Sequence, residues 1–471
     1  MVWRTGVRWR DRCVALSVLE QDAILYVLAA VFALGTILLA ESRDYRQWAA
    51  MSIGPYVLAA GICWVVSRRR ARNAGAAPRK GRDRVRQGIV LGLLLTVVLL
   101  PLTVEVILRA ESKAGAQNEV TVIEACGDRV AHHKDCYPSD PKNAGGSLQN
   151  QGANSFFPYL PGMIPFGLVN ATSGPPELKD ARIALSGFTL IVLAGALLVA
   201  DTSSRRRWRI FQVAVVLPSG ALPMVTGGDD LPVLALLFLA LALATRRRPV
   251  WSGLAMGLAG TLKFTAWPLL FLLALGEWDR LGRRAILRYS LAVAAVVIPV
   301  LGIGVGADPH AFILNAIRFP LGLTKVTSPA ASPLIGQELV KLFPGAKPEL
   351  IALLAAIGVA VVGYGLWKLR PGDPQSAAGF SGLAMLLATL LAPATRFGYL
   401  IYPLNLLTWA VLLRPPLSAK ATEVRRLSQE PSGIWKRRIL RPIVGEVWPP
   451  PASEGEIAGL TGVTTTPTSH S

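Results

Sequence analysis

The apolar residues of this chain are gathered into continuous blocks, and short polar segments rich in arginine separate the blocks. An α-helix needs about 20 consecutive apolar residues to cross the hydrocarbon core of a membrane. Strands of a membrane β-barrel would alternate apolar and polar residues, which these blocks do not do. With 52% of its 471 residues hydrophobic, the chain is too apolar for an ordinary soluble protein. We therefore predict an all-α, polytopic transmembrane helical protein.

The apolar blocks predict about 11 spans plus a re-entrant or paired short-helix hairpin. They lie at residues 23–40, 49–67, 87–108, 180–200, 210–225, 231–244, 251–275, 285–304, 349–367, 377–391 and 399–413. Basic residues flank both ends of the block at residues 251–275. Either this block crosses the membrane once, or two half-length helices break near Lys263, close to Gly260 and Pro268. The hairpin is favoured because it keeps every later loop on the side that its charges indicate.

The positions of Lys and Arg predict the topology, because cytoplasmic loops are enriched in both. The densest basic segment follows the second block and extends from Arg68 to Arg86. We expect a multi-pass protein of the cell membrane with both termini in the cytoplasm. Its large loops, residues 109–179 and 305–347, are then extracytoplasmic. The net charge of +20 arises from this pattern of basic loops, and it favours contact with anionic membrane lipids. We therefore expect no nucleic-acid partner.

Three regions are predicted along the chain. Residues 1–87 hold an N-terminal tail and two extra transmembrane helices with a basic cytoplasmic loop. Residues 88–413 form the main transmembrane domain, which carries both large outer loops. Residues 414–471 are rich in Pro, Ser, Thr and basic residues, and we expect a disordered cytoplasmic tail there.

The first outer loop holds the candidate catalytic acids. Glu119 and Glu124 stand among apolar residues in the sequence E-V-T-V-I-E-A, which indicates a segment that packs against the rest of the protein. Packing can bury a carboxylate near a substrate and adapt it to act as a general base. The alternative is a solvated loop face. Tyr159 lies between two prolines, which hold it more rigidly than an aromatic belt at the membrane interface requires, and it is a candidate for substrate binding. Tyr399 and Tyr402 are expected in that belt.

Two cysteines of the same loop, Cys126 and Cys136, are close in sequence. Outside the membrane they can form a disulfide or stay free thiols. With His132 and His133 between them they could also bind zinc, although the spacing does not match the usual ligand patterns. All three alternatives stay open at this point.

Charged residues elsewhere are candidates for substrate binding. Asp229 and Asp230 form an outer turn that either caps a helix or binds the sugar or phosphate region of a substrate, with a divalent metal as an option. Lys263, Arg318 and Arg396 would suit an anionic lipid phosphate, whose negative charge must be stabilised when it leaves. An ionisable residue within the membrane, as expected for Lys263, is by default functional. Arg396 could instead extend its side chain to the interface from a helix end.

Six short motifs follow one another along the chain: Q-N-E-V, F-F-P-Y-L-P-G-M-I-P-F-G, G-D-D-L-P, L-K-F-T-A-W-P, R-F-P-L-G-L-T and T-R-F-G-Y-L-I-Y-P. In this order they resemble the bacterial glycosyltransferase family 87, also called DUF2029, over residues 105–413. The resemblance implies an actinobacterial-type GT-C membrane enzyme. Its base, in the first large outer loop, falls on Glu119. Lys263 and Arg396 fall on positions that would face the donor phosphate.

The function implied by this resemblance is the transfer of a sugar, often mannose, from a polyprenyl-phosphate donor to a lipid or glycan acceptor of the cell envelope. We therefore expect a hexosyltransferase active on the outer face of the membrane, with Glu124 as the second candidate base. We name no cofactor, and a divalent metal is an option. The alternative is a transporter or lipid flippase without transferase activity, which would usually show inverted repeats that we do not find here.

Overall fold

A computed structural model describes residues 16–72, 82–139, 152–321, 324, 326, 330 and 332–413. In these residues the chain is helical and contains no strand, as predicted. The predicted tail at residues 414–471 and the middle of the predicted basic loop, residues 73–81, lie outside the described residues.

Fifteen of the described helices are used below. They are α1 Val18–Leu39, α2 Arg43–Arg72, α3 Arg84–Ala110, α4 Asn118–Ala131, α5 Ala181–Val199, α6 Ser204–Val216, α7 Pro218–Thr226, α8 Leu231–Thr245, α9 Pro249–Leu262, α10 Trp267–Leu281, α11 Arg283–Ala307, α12 Ile335–Leu342, α13 Lys347–Leu369, α14 Pro374–Leu391 and α15 Ile401–Leu412. Shorter turns of helix lie between them, among them Phe264–Ala266 and Phe397–Leu400.

Seven of the described helices are long and apolar enough to cross a membrane, or eight if the bent pair α6 and α7 counts as one span. The predicted apolar blocks are helical, but the predicted number of about 11 spans is not confirmed. Helix α8 illustrates the reason. It has 15 residues, so it is about 22 Å long, whereas a full crossing needs about 30 Å.

The helix ends bearing the arginine clusters meet at one end of the bundle, which we call the basic end. Asp22 of α1 is fully buried there and pairs with Arg86 at 2.6 Å and with Arg209 at 2.5 Å. Arg246, just after α8, donates to the carbonyl of Val199, at the end of α5. The opposite end, which we call the loop end, holds residues 109–139 and 152–180.

Helices α9 and α10 form the predicted hairpin. Lys263 has extended backbone angles, with φ −151° and ψ 149°, so the helix breaks at this residue. Arg280, near the end of α10, donates to the carbonyl of Ala244 at 3.2 Å. Because α8 ends at Thr245 and α9 starts four residues later, this contact returns α10 to the side from which α9 began. The tip of the hairpin, with Lys263, points to the loop end, where the amide of Leu160 donates to Leu262 at 3.2 Å.

The N-terminal helices α1 and α2 are integrated into the bundle through buried polar contacts. The Trp48 indole donates to the carbonyl of Val97 in α3 at 3.0 Å, and the Tyr56 hydroxyl donates to Val216 at 2.6 Å. Both aromatic side chains are fully buried. Buried polar groups without a partner are costly, so these contacts fix the position of α2 along its length.

Candidate functional site

A buried cluster of two acids and one lysine lies at the loop end; we call it the acid–lysine cluster. The Lys263 ammonium lies 2.8 Å from a carboxylate oxygen of Asp229 and 2.5 Å from one of Asp230. The acids occupy the turn between α7 and α8, and the lysine occupies the tip of the α9–α10 hairpin. Helices α7, α8, α9 and α10 are short, and their ends meet at the loop end of the bundle. The sequence-predicted turn and hairpin thus form one site.

The electrostatics of the acid–lysine cluster are unbalanced when both acids are ionised, since two carboxylates then face one ammonium. The side chains of Asp229 and Lys263 are only 8% and 11% exposed. Burial raises the pKa of Asp229 above its usual value, and the adjacent Lys263 ammonium opposes this shift. With both acids ionised the cluster carries one net negative charge, and one proton on the carboxylates would make it neutral.

Aromatic hydroxyls complete the surroundings of the cluster. The Tyr402 hydroxyl donates to Asp230 at 2.7 Å and accepts a hydrogen bond from Thr265 at 2.8 Å. The Tyr159 ring lies under the ammonium, with 5.2 Å between its centroid and Lys263 Nζ. A cation over an aromatic ring is attracted by the ring's electrons. Because its hydroxyl binds Asp230, Tyr402 belongs to the site, although its sequence position indicated only the interfacial belt.

Helix α4 packs directly on the turn that carries the two aspartates. Gly227 has φ +125°, a left-handed conformation that favours glycine, and a Cβ there would lie 2.2 Å from a methyl carbon of Val120. Gln117, just before α4, donates through its backbone N–H to the carbonyl of Thr226 at 3.2 Å. The first turn of α4, which includes Glu119, is therefore held against the edge of the acid–lysine cluster.

Glu119 forms an ion pair with Arg396 through a short contact between Oε1 and Nη1. Their side chains are 18% and 32% exposed, so the pair is more accessible than the acid–lysine cluster. Arg396 precedes the short helix Phe397–Leu400, and Tyr399 of that helix interacts electrostatically with both Arg396 and Lys263. The structure thus brings four sequence-predicted residues, Glu119, Asp229, Lys263 and Arg396, into one region.

Glu124 lies in a different network, although it is only five residues from Glu119. Its carboxylate accepts from Arg109 at 2.8 and 2.5 Å and from the backbone amide of Ala181 at 2.9 Å. Asp180 joins this network by pairing with Arg109 at 2.9 Å and Arg182 at 2.7 Å. These contacts tie α3, α4 and the start of α5 together. Glu124, the second candidate base, is therefore part of an ion-pair network that connects helices.

Two further sequence-predicted features lie away from these contacts. Cys126 and Cys136 are paired as a disulfide, which joins α4 to the segment after it. Thiols engaged in a disulfide are not available as zinc ligands. Arg318 ends a short helical turn, Ile313–Arg318, with an exposed side chain, and no contact within the described residues connects it to the acid–lysine cluster.

The predicted metal option does not fit the donor set well. The two aspartates already face an ammonium group, and the described residues contain no group of three or more His, Cys, Asp or Glu that could hold a metal ion. Divalent oxygen-ligated ions take six or more ligands. We derive no step through a metal.

Fold and site together define a polytopic helical membrane protein with a charged site at the loop end of its helix bundle. The model of glycosyltransferase family 87 matches residues 160–393, which confirms the family that the sequence motifs indicated and supports a glycosyltransferase. The matched residues include Asp229, Asp230 and Lys263, whereas Glu119 and Arg396 lie outside the match. A search of curated proteins and a search of solved structures each gave no match.

Proposed function

We propose that this chain is a GT-C-type glycosyltransferase that moves a hexose, of the mannose class, from a polyprenyl-phosphate donor to a lipid or cell-envelope glycan acceptor. One observation carries the proposal: the Glu119–Arg396 pair lies on elements packed against the acid–lysine cluster. A base and cations for a leaving phosphate are thus adjacent, which is what glycosyl transfer from a lipid phosphate requires. The family match supports this chemistry over transport.

The proposed step is a single displacement at the anomeric carbon. The Glu119 carboxylate takes the proton of the acceptor hydroxyl, and the acceptor oxygen forms a bond to that carbon. The bond from the same carbon to the phosphate oxygen breaks, and its electron pair leaves with the lipid phosphate. The pairing with Arg396 favours the ionised form of Glu119, which is the form that can accept a proton.

Arg396 and Lys263 are proposed to stabilise the negative charge on the departing phosphate. Arg396 is the more accessible of the two and can share its guanidinium between Glu119 and a phosphate, because the group has several donors in a planar fork. The Lys263 charge is offset by the two carboxylates that it contacts. Its contribution in this scheme depends on Asp229 or Asp230 binding a proton or turning towards the substrate.

The site is proposed to face the outside of the cell. The arginine clusters share the basic end of the bundle, and the acid–lysine cluster lies at the opposite, loop end. The positive-inside rule assigns a basic end to the cytoplasm. On this basis the described start of the chain, at α1, and the end of α15 are cytoplasmic, and the loops at residues 109–179 and 305–347 are extracytoplasmic.

The experiment is a transfer assay on purified protein in detergent or nanodiscs. Polyprenyl-phosphate mannose with a radiolabelled sugar is the donor, and a lipid and glycan extract of the source membrane supplies acceptors. Transfer of label to a product that survives removal of free donor supports the proposal. Failure with both mannosyl and glucosyl polyprenyl phosphates would contradict it. Movement of intact donor across a vesicle membrane without any transfer would favour the flippase alternative.

A further inference from the structure

The start of helix α2 reaches the same region as the proposed site, although it lies outside both the family match and the motifs. We propose that the N-terminal helix pair, α1 and α2, completes the site, and that Tyr45 is a positioning residue for Glu119. This inference rests on the proposed transferase function. It assigns a role in turnover to a helix pair that would otherwise be a membrane anchor.

The link between the two residues is Gln117. Its side-chain amide donates to the Tyr45 hydroxyl through a short contact and to the hydroxyl of Thr226 at 3.0 Å. Its backbone carbonyl accepts from the amide of Val120 at 3.0 Å, within the first turn of α4. Gln117 therefore connects α2, the end of α7 and the turn of α4 that carries Glu119.

The local sequence explains why this turn needs an outside support. Helix starts are normally stabilised by Ser, Thr, Asp or Asn at the N-cap, whose side chain binds a free backbone amide of the first turn. Helix α4 has Gln117 at its N-cap, and that side chain makes no capping hydrogen bond. It uses its amide for Tyr45 and Thr226 instead. The position of Glu119 thus depends on contacts between helices rather than on a local cap.

Tyr45 is itself held firmly. It lies three residues before Trp48, whose buried indole binds α3, and α2 is fixed again at Tyr56. The Tyr45 phenol is partly buried and lies close enough to Arg396 for an electrostatic interaction. Through Gln117 it contacts the turn that carries Glu119, and it interacts electrostatically with the arginine that pairs with Glu119. A helix pair serving only as an anchor would not need a polar contact at this position.

The test replaces Tyr45 by Phe, which removes the hydroxyl and little else. We expect kcat for sugar transfer to fall about tenfold to a hundredfold, as when a reacting group is displaced by up to about 1 Å, with KM for the donor nearly unchanged. The matched control is Tyr56→Phe, which removes a hydroxyl from the same helix at its contact with Val216. This control should lower the thermal stability in detergent while kcat per folded molecule stays at the wild-type value.

A double-mutant cycle separates positioning from general damage. If Tyr45 acts through Gln117, the double variant Tyr45→Phe/Gln117→Ala has the same kcat as Gln117→Ala alone, whereas independent effects would multiply. Wild-type kcat in Tyr45→Phe, an equal drop in Tyr56→Phe, or multiplying effects in the cycle would each overturn the inference and leave the proposed function intact. Absence of transfer by the unmodified chain would overturn both.

Discussion

Arg396 pairs with Glu119 across 277 residues of sequence, from the turn before the last described helix to the start of α4. The contact joins the first large loop to the end of the membrane domain, next to the acid–lysine cluster. A guanidinium partner orients a carboxylate and favours its ionised form, which is the form that can accept a proton. The relationship is therefore the core of the mechanism proposed for this chain.

Lys263 is expected to be needed for both folding and transfer. In Lys263→Met the buried carboxylates of Asp229 and Asp230 lose their ammonium partner, and breaking a buried ion pair in this way costs about 3–5 kcal/mol. The thermal unfolding temperature in detergent should fall clearly. Adding Asp229→Asn to Lys263→Met removes one unpaired charge, so it should restore part of the stability without restoring transfer. Recovery of transfer in the double variant would show that Lys263 has no part in the reaction.

Glu124 is expected to stabilise the fold and not to act as the base that accepts the proton. Glu124→Gln weakens the contacts with Arg109, so we expect a loss of about 1–3 kcal/mol in the free energy of unfolding. The kcat of the folded fraction should fall far less than in a Glu119 variant. The control is Asp128→Asn on the same helix, where the carboxylate is 55% exposed and a surface change costs little. A loss of transfer in Glu124→Gln at unchanged stability would return this residue to the role of base.

The contribution of Asp180 to stability is expected to depend on pH. Burial acts to raise the pKa of Asp180, but the Arg182 and Arg109 guanidinium groups hold it below its usual value. A carboxyl with a lowered folded-state pKa stabilises the fold above the unfolded pKa of about 3.9, and the effect is lost as pH falls through the folded value. Asp180→Asn should therefore melt well below wild type at neutral pH. The melting difference should shrink in buffers below about pH 4, and a constant difference would contradict the assignment.

Much of the fold could be predicted because membrane helices are long, continuous runs of apolar residues. The apolar block at residues 180–200 is the helix Ala181–Val199, and the basic residues on both sides of residues 251–275 predicted the break at Lys263. The number of spans could not be predicted in the same way. Helices such as α8 are apolar but short, and their depth depends on the neighbours that surround them.

Several residues of the candidate site could be named from the sequence, but their pairings could not. Glu119 and Glu124 share one apolar segment, yet they are five residues apart on a helix, which turns them about 140° from each other. One therefore faces Arg396 and the other faces Arg109. The role of Gln117 gave no local signal, because its partners lie 72 and 109 residues away in the sequence.

The most direct test of the account is the transfer rate of Glu119→Gln. The amide keeps the size of the side chain but cannot accept the acceptor's proton, and general base catalysis is worth about 10²–10⁴-fold. We expect kcat to fall by at least about 100-fold, with donor binding and the unfolding temperature close to wild type. Wild-type turnover by folded Glu119→Gln would contradict the central claim.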